Sequence, residues 1–111
     1  MKKKAFYQLH SEVCKTLANP KRQEILDCLR GNELTVNELI EKTGISQANL
    51  SQHLSIMRGK GIVNTRRDGI NIYYSLANTK ILEAFDLISE VLDDSMSSRT
   101  KTIKSAMKKT S

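Results

Sequence analysis

Apolar residues fall at helical spacing along most of this chain. The exception is residues 62–76, where β-prone residues run on either side of an Asp-Gly pair. In residues 4–18, Phe6, Leu9, Val13 and Leu17 form one stripe, the recurrence of an amphipathic helix. Asn19 and Pro20 then supply an N-cap and a first helical residue. They predict a second helix to about Arg30 that buries Ile25, Leu26 and Leu29, with Gly31 closing it. Thr35 followed by Glu38 is a capping-box start, and Val36, Leu39 and Ile40 share one face of the short helix it opens. Gly44 stands where that helix must stop and reverse. Ile45 is an apolar plug, Ser46 caps the next helix, and Leu50, Leu54 and Met57 turn its inner face to the core. Two strands, Ile62 to Arg67 and Ile70 to Leu76, are expected around Asp68-Gly69, a hairpin turn with both central residues at positive φ. Val63 and Thr65 are expected to pair across to Ile72 and Tyr74 on the buried face. Asn78 caps a last helix with a broad apolar face of Ile81, Leu82, Phe85, Ile88, Val91 and Leu92.

The outer face of the helix after Ser46 is unusual. At about 100° per residue, Ala48, Asn49, Gln52 and Ser55 point away from Leu50, Leu54 and Met57, with Gln47 and Ser51 on the shoulders. A solvated helix face ordinarily favours Glu and Lys. Amides and hydroxyls are the groups that hydrogen-bond to base edges and phosphates. The plainer reading is a polar solvent face, but the two-helix spacing and the neighbouring charge favour a DNA reader. The candidate contacts are Ser46, Gln47, Ala48, Asn49, Ser51, Gln52 and Ser55, joined by Arg66 and Arg67 near the hairpin tip.

ISQANLSQHLSIMRGKGIV, followed by RRDGINIYYSL, resembles the recognition helix and wing of ArsR/SmtB-type winged-helix transcriptional regulators. The likeness runs back through LANPKRQEILDCL and forward through the last helix, over residues 9–92. It implies a mainly α fold with a β-hairpin wing, a winged helix-turn-helix that dimerises through its first and last helices. It also implies a transcriptional regulator, with repression the expected sign, binding a palindromic operator on double-stranded DNA as a homodimer. Many members of the family release DNA when metal binds. One family site needs thiolates in an ELCVCDL-like segment, and the matching Glu33–Leu39 has Thr35 and Asn37 in their places. Another uses Asp, His and Glu on the last helix, which here has no histidine. No metal and no cofactor is expected, and His10 and His53 stand apart in the sequence.

Charge sharpens this picture by its placement. The chain has 111 residues and a net charge of +6, yet Lys2, Lys3, Lys4 and five bases after residue 98 account for all of it. Residues 5–98 hold 10 basic and 12 acidic side chains. Within them, residues 42–67 contain Lys42, Arg58, Lys60, Arg66 and Arg67 with no acid, and residues 83–94 contain five acids with no base. Such polarity suits a fold with one face toward phosphate. Residues 1–94 are expected to form the DNA-binding and dimerisation domain, and 95–111 a basic, disordered or fraying tail.

The remaining classes are weaker. There is no Gly-rich phosphate loop, no Ser/His/Asp set and no acid paired with a base, so an enzyme is not expected. No apolar run approaches the ~20 residues of a membrane span, and the basic N-terminus lacks the apolar stretch of a signal peptide. A cytoplasmic location without a membrane partner follows as the expectation. Cys14 and Cys28 form no CxxC pair and sit at the edges of apolar stripes, where free cysteine serves as a small hydrophobe. A thiol- or sulfur-responsive repressor using Cys14 or Cys28 is the alternative, and the inducer, if one exists, is not legible. An intrachain disulfide is not expected, since helix axes pack about 8–10 Å apart and a disulfide spans at most about 7 Å between α-carbons. A dimeric protein-interaction adaptor without DNA is the reading from another class.

Overall fold

The structure, a computed structural model, describes the backbone of residues 2–110 and the side chains of residues 3–96. Its elements are α1 (Lys2–Leu17), α2 (Pro20–Cys28), β1 (Leu34–Thr35), α3 (Val36–Thr43), α4 (Gln47–Gly59), β2 (Val63–Asp68), β3 (Asn71–Leu76) and α5 (Lys80–Thr110). Residues 1–79 make one unit and residues 80–111 a second.

The first unit is built by caps and then by burial. The Asn19 side chain accepts from the Lys21 and Arg22 amides at 3.0 and 3.2 Å, satisfying two of the donors that a helix start leaves orphaned. α2 ends at Cys28 with Leu29 as its C-cap, two residues short of the expected Arg30. Ile25, Leu26 and Leu29 point inward and join Leu34, Leu39, Ile45, Leu50, Leu54, Met57, Ile62 and Val63, all buried. Each such side chain, fully buried, contributes roughly 1.5–3 kcal/mol of apolar transfer. The core therefore sits where α2, α3, α4 and the start of β2 meet. Phe6 and Leu9 of the expected α1 stripe remain largely exposed.

The hairpin differs from expectation in its turn. Asp68 belongs to β2 and pairs with Asn71, so the two-residue loop is Gly69-Ile70. Of the loop residues only Gly69 has positive φ, +63°. Glycine at the first central position is what a II′-type turn requires, in place of the I′ geometry that two positive φ values would give. Val63 consequently pairs with Leu76, Thr65 with Tyr74 and Arg67 with Ile72. A turn at Asp68-Gly69 would have set Val63 opposite Tyr74 and Thr65 opposite Ile72, so each expected pair is displaced by two residues. A slip of an even number of residues leaves each side chain on its own face, so Val63 still enters the core. A further strand, β1, pairs antiparallel with β3 through Leu34–Tyr74 and Thr35–Tyr73, giving the order β1-β3-β2.

Thr35 belongs to both sheet and helix. It ends β1 and is also the N-cap of α3, its hydroxyl accepting from the Glu38 amide at 3.2 Å while Glu38 Oε1 accepts from the Thr35 amide at 3.1 Å. This is the expected capping box. In the second unit, α5 runs as one helix from Lys80 to Thr110, so no helix end marks the expected boundary at residue 95. The side chains of that basic tail from residue 97 onward lie outside the described residues.

Replacing Thr35 by alanine removes half of the capping box. It should lower stability by about 0.5–2 kcal/mol, read as a lower melting temperature for Thr35→Ala, with Thr35→Ser close to the parent.

Candidate nucleic-acid interface

The turn between α3 and α4 aims the outer face of α4. Gly44 is left-handed at φ +71°, and its amide donates to the Ile40 carbonyl at 2.8 Å. The Thr43 hydroxyl donates to the Leu39 carbonyl at 2.7 Å and accepts from the Ile45 amide at 3.2 Å, so the end of α3 is satisfied locally. Ile45 is buried, anchoring the turn from below. Ser46 then caps α4 with an extended backbone, and its hydroxyl accepts from the Asn49 amide at 3.4 Å.

Leu50, Leu54 and Met57 are fully buried beneath α4. Ser46, Gln47, Ala48, Asn49, Ser51, Gln52 and Ser55 are all exposed. Apart from Ser46, whose hydroxyl is used in capping, their side-chain amides and hydroxyls have no protein partner among the described residues. The first turn of α4 carries no acid, so nothing offsets the positive end of the helix dipole there. The arrangement offers a row of unengaged donors and acceptors beside a helix N-terminus, which suits phosphate and base-edge contacts.

The two wing arginines differ. Arg66 is clamped to Glu33: its Nε donates to Oε2 at 3.0 Å and its second amine to Oε1 at 3.1 Å. Its guanidinium also lies 4.8 Å from the centroid of the Tyr73 ring. Strand alternation explains the grouping, because Arg66 and Thr35 both stand opposite Tyr73 in the sheet, and Glu33 lies two residues before Thr35. The clamp holds the Glu33 carboxyl below the usual carboxylate range and raises Arg66. Arg67 stands across from Ile72 on the opposite strand face, exposed and without an ion pair among the described residues. Ile70 is 96% exposed at the tip.

A second set of contacts holds α4 from the side, and nothing in the local sequence pattern announces it. Arg22 Nε donates to His53 Nδ1 at 3.1 Å, and an Arg22 terminal amine donates to the Thr16 carbonyl at 3.1 Å. Gln23 donates to the Leu17 carbonyl at 2.8 Å, and Lys60 lies 3.7 Å from a Glu12 oxygen. The two contacts that reach α4 and its C-cap, Arg22–His53 and Lys60–Glu12, join residues 31 and 48 apart, beyond the reach of any periodicity.

The candidate thiols part in the same way. Cys14 is exposed, with its sulfur 3.5 Å from His10 Nδ1. Cys28 is half-buried; burial raises its thiol pKa, Glu24 and Asp27 add to that, and Lys42 opposes them. A raised thiol pKa means less thiolate and a less reactive sulfur. Both cysteines are free. Among the described residues, no three of His, Cys, Asp and Glu gather where they would hold a metal ion.

Residues 19–65 match the model of the bacterial regulatory protein, arsR family. The chain is 45% identical to the nodulation protein NolR of Rhizobium meliloti over 78 residues, covering 70% of this chain and a little under two thirds, 64%, of NolR. It is 36% identical over 104 residues to Rv0081 of Mycobacterium tuberculosis, an uncharacterized HTH-type transcriptional regulator, covering 93% of this chain and 91% of that one. The crystal structure of Rv0081 superposes with a TM-score of 0.78, covering 86% of this chain and 96% of the other at 38% identity. A solution structure from Mycobacterium bovis, the homodimeric winged helix-turn-helix DNA-binding domain of Mb0332, gives a TM-score of 0.76 at 32% identity, covering 85% of this chain and 87% of that one.

The unequal arginines make a test. Each freely exposed cation that meets a phosphate adds about 0.9 to the slope of log affinity against log salt. Arg67→Ala should flatten that slope for random duplex by about this amount. Arg66→Ala should flatten it less, because Glu33 already neutralises its charge, and Glu33→Gln should steepen it.

Proposed function

The chain belongs to the arsR family of bacterial regulatory proteins and is a DNA-binding transcriptional regulator rather than an enzyme, and we propose that it acts as a homodimer on a palindromic operator, repressing transcription by occupying it. The observation that carries this reading is the outer face of α4, exposed from Ser46 to Ser55 and free of acid. On this reading Gln47, Asn49, Ser51, Gln52 and Ser55 approach base edges, and Ser46, Ala48 and Arg67 lie against the backbone. Arg66 holds the wing in place and reaches phosphate only by leaving Glu33.

Dimerisation is supported by apolar surface. Phe6, Tyr7 and Leu9 on α1 are each about 60% exposed, as are Leu87, Ile88, Val91, Leu92 and Met96 on α5. Large apolar side chains in such number at helical spacing are costly to leave in water. A second copy of the chain would cover them, and the Mb0332 domain is homodimeric. Two symmetric copies would present two α4 helices to an inverted repeat, with half-site centres about 34 Å apart. A DNA partner would keep the protein with the chromosome, in the cytoplasm of a bacterium. Among the described residues no helix is long and apolar enough to cross a membrane. A thiol-responsive form of the same regulator rests on Cys14, exposed beside His10; Cys28, with its raised thiol, is the poorer sensor.

Selection from a random duplex library should enrich an inverted repeat, and sedimentation of the complex should show two chains per site. Gln52→Ala should reduce the preference for the selected duplex by the ~1–3 kcal/mol of a good base contact. A stable monomer that holds one half-site tightly would sink the dimer reading. An adaptor without DNA would show no salt-dependent duplex binding at all.

A further inference from the structure

His53 lies on the helix assigned above to base reading, yet it is only half-exposed and is turned aside from the outer face. Its Nδ1 receives the Arg22 Nε–H at 3.1 Å. A guanidinium has donors only and keeps its charge at any ordinary pH. The imidazole nitrogen must therefore be the acceptor, which fixes the ring as neutral with its proton on Nε2.

Arg22 is itself anchored. Its backbone amide is held by the Asn19 cap at 3.2 Å, and its terminal amine donates to the Thr16 carbonyl in the last turn of α1 at 3.1 Å. One side chain thus joins the end of α1, the start of α2 and the middle of α4. Leu50, Leu54 and Met57 bury α4 from below and set which face is inward, but hydrophobic burial is itself non-directional, so the fine angle of the outer face gains from a directional bond. The Arg22–His53 bond opposes that rotation.

We propose that His53 is a positioning residue for DNA recognition: as a neutral acceptor it locks the rotation of α4 through Arg22, so that discrimination between DNA sequences requires His53 to be uncharged. The proposal rests on the reading of α4 as the DNA-reading helix. Protonation turns Nδ1 into a donor facing a donor and sets two cations in contact. Around the ring, α2 supplies Arg22 and Lys21, both positive; α1 gives a carbonyl to the same guanidinium and commits Glu12 to Lys60 near the end of α4. The charges that act on it are those of Arg22 and Lys21. Burial first, then Arg22 and Lys21, hold the imidazole below its ordinary value. The sign follows: the lock is complete above the ordinary histidine range, begins to cost stability as pH falls through it, and is lost once pH passes the lowered folded value.

Protonation also adds a positive charge near DNA, which favours random duplex. Specific and random binding should then separate on acidification. The test uses the full chain, the duplex enriched from a random library at about pH 7.5, and unselected random duplex, over about pH 5 to 8. His53→Asn places an amide oxygen close to the Nδ1 position and cannot titrate. The parent should lose about tenfold or more of its preference, the size of one good base contact, as His53 titrates in its own NMR signals. The Asn variant should keep its preference throughout. The ring nitrogens of the free parent should report Nδ1 as the bare acceptor. Nδ1 carrying the proton, or a preference in the parent that does not change across His53's titration, overturns the lock while leaving the DNA reading intact. Loss of preference in both proteins alike also overturns it. No preference at any pH overturns the DNA reading, and the lock falls with it. Melting curves at each pH exclude unfolding as the source.

Discussion

The reversal at Gly44 is the constraint on which the rest of the first unit depends. A left-handed residue there ends α3, lets Ile45 drop into the core and releases Ser46 to start α4 in a new direction. The demand is on the backbone and not on space, because a β-carbon built at Gly44 meets nothing within 4 Å. A substituent there would cost roughly the 1–2 kcal/mol of forcing an L-residue into the left-handed region, and no clash would add to it. The direction of the turn thus rests on a small energy, reinforced by Thr43 bonding on both sides of the glycine.

What the amino-acid pattern disclosed follows from what is local. The Asn19, Thr35 and Ser46 caps each act within three residues, and the Leu50, Leu54, Met57 face repeats at helical spacing, so all are legible and all are found. β1 is two residues long, too short to show any alternation, and exists only because β3 offers it an edge. The Asp68-Gly69 pair announced a two-residue turn correctly, but the same dipeptide serves two turn types that place the glycine at different loop positions. The register of Val63 moved for that reason. The exposed face of α4 was legible from composition. The separate circumstances of Arg66 and Arg67 were not, because Glu33 is 33 residues away and reaches Arg66 only once the sheet has formed.

Electrostatics within the first unit is a matter of commitment more than of total charge. Arg66 belongs to Glu33, Arg22 to His53 and the Thr16 carbonyl, and Lys60 to Glu12. Exposed pairs of this kind add little to stability, because solvent and salt screen them. Their effect lies in direction: they hold Arg22 against α4, Lys60 at its C-cap and Arg66 against the sheet, and leave Arg67 as the wing arginine with an open guanidinium. Counting bases in the sequence overstates the charge that is ready to meet a phosphate.

Thr35 is shared between a strand and a helix. Because one residue pairs with Tyr73 in β3 and also opens α3, no connecting loop separates α3 from the strand that borders the wing. Sheet and helix start share a residue, like two fingers of a single casting. The freedom that an independent wing would have to surrender on meeting a surface has been given up during folding. Whatever the molecule grips, it does so with little ordering left to do, and a strain applied at the tip of the wing is felt at the first turn of α3.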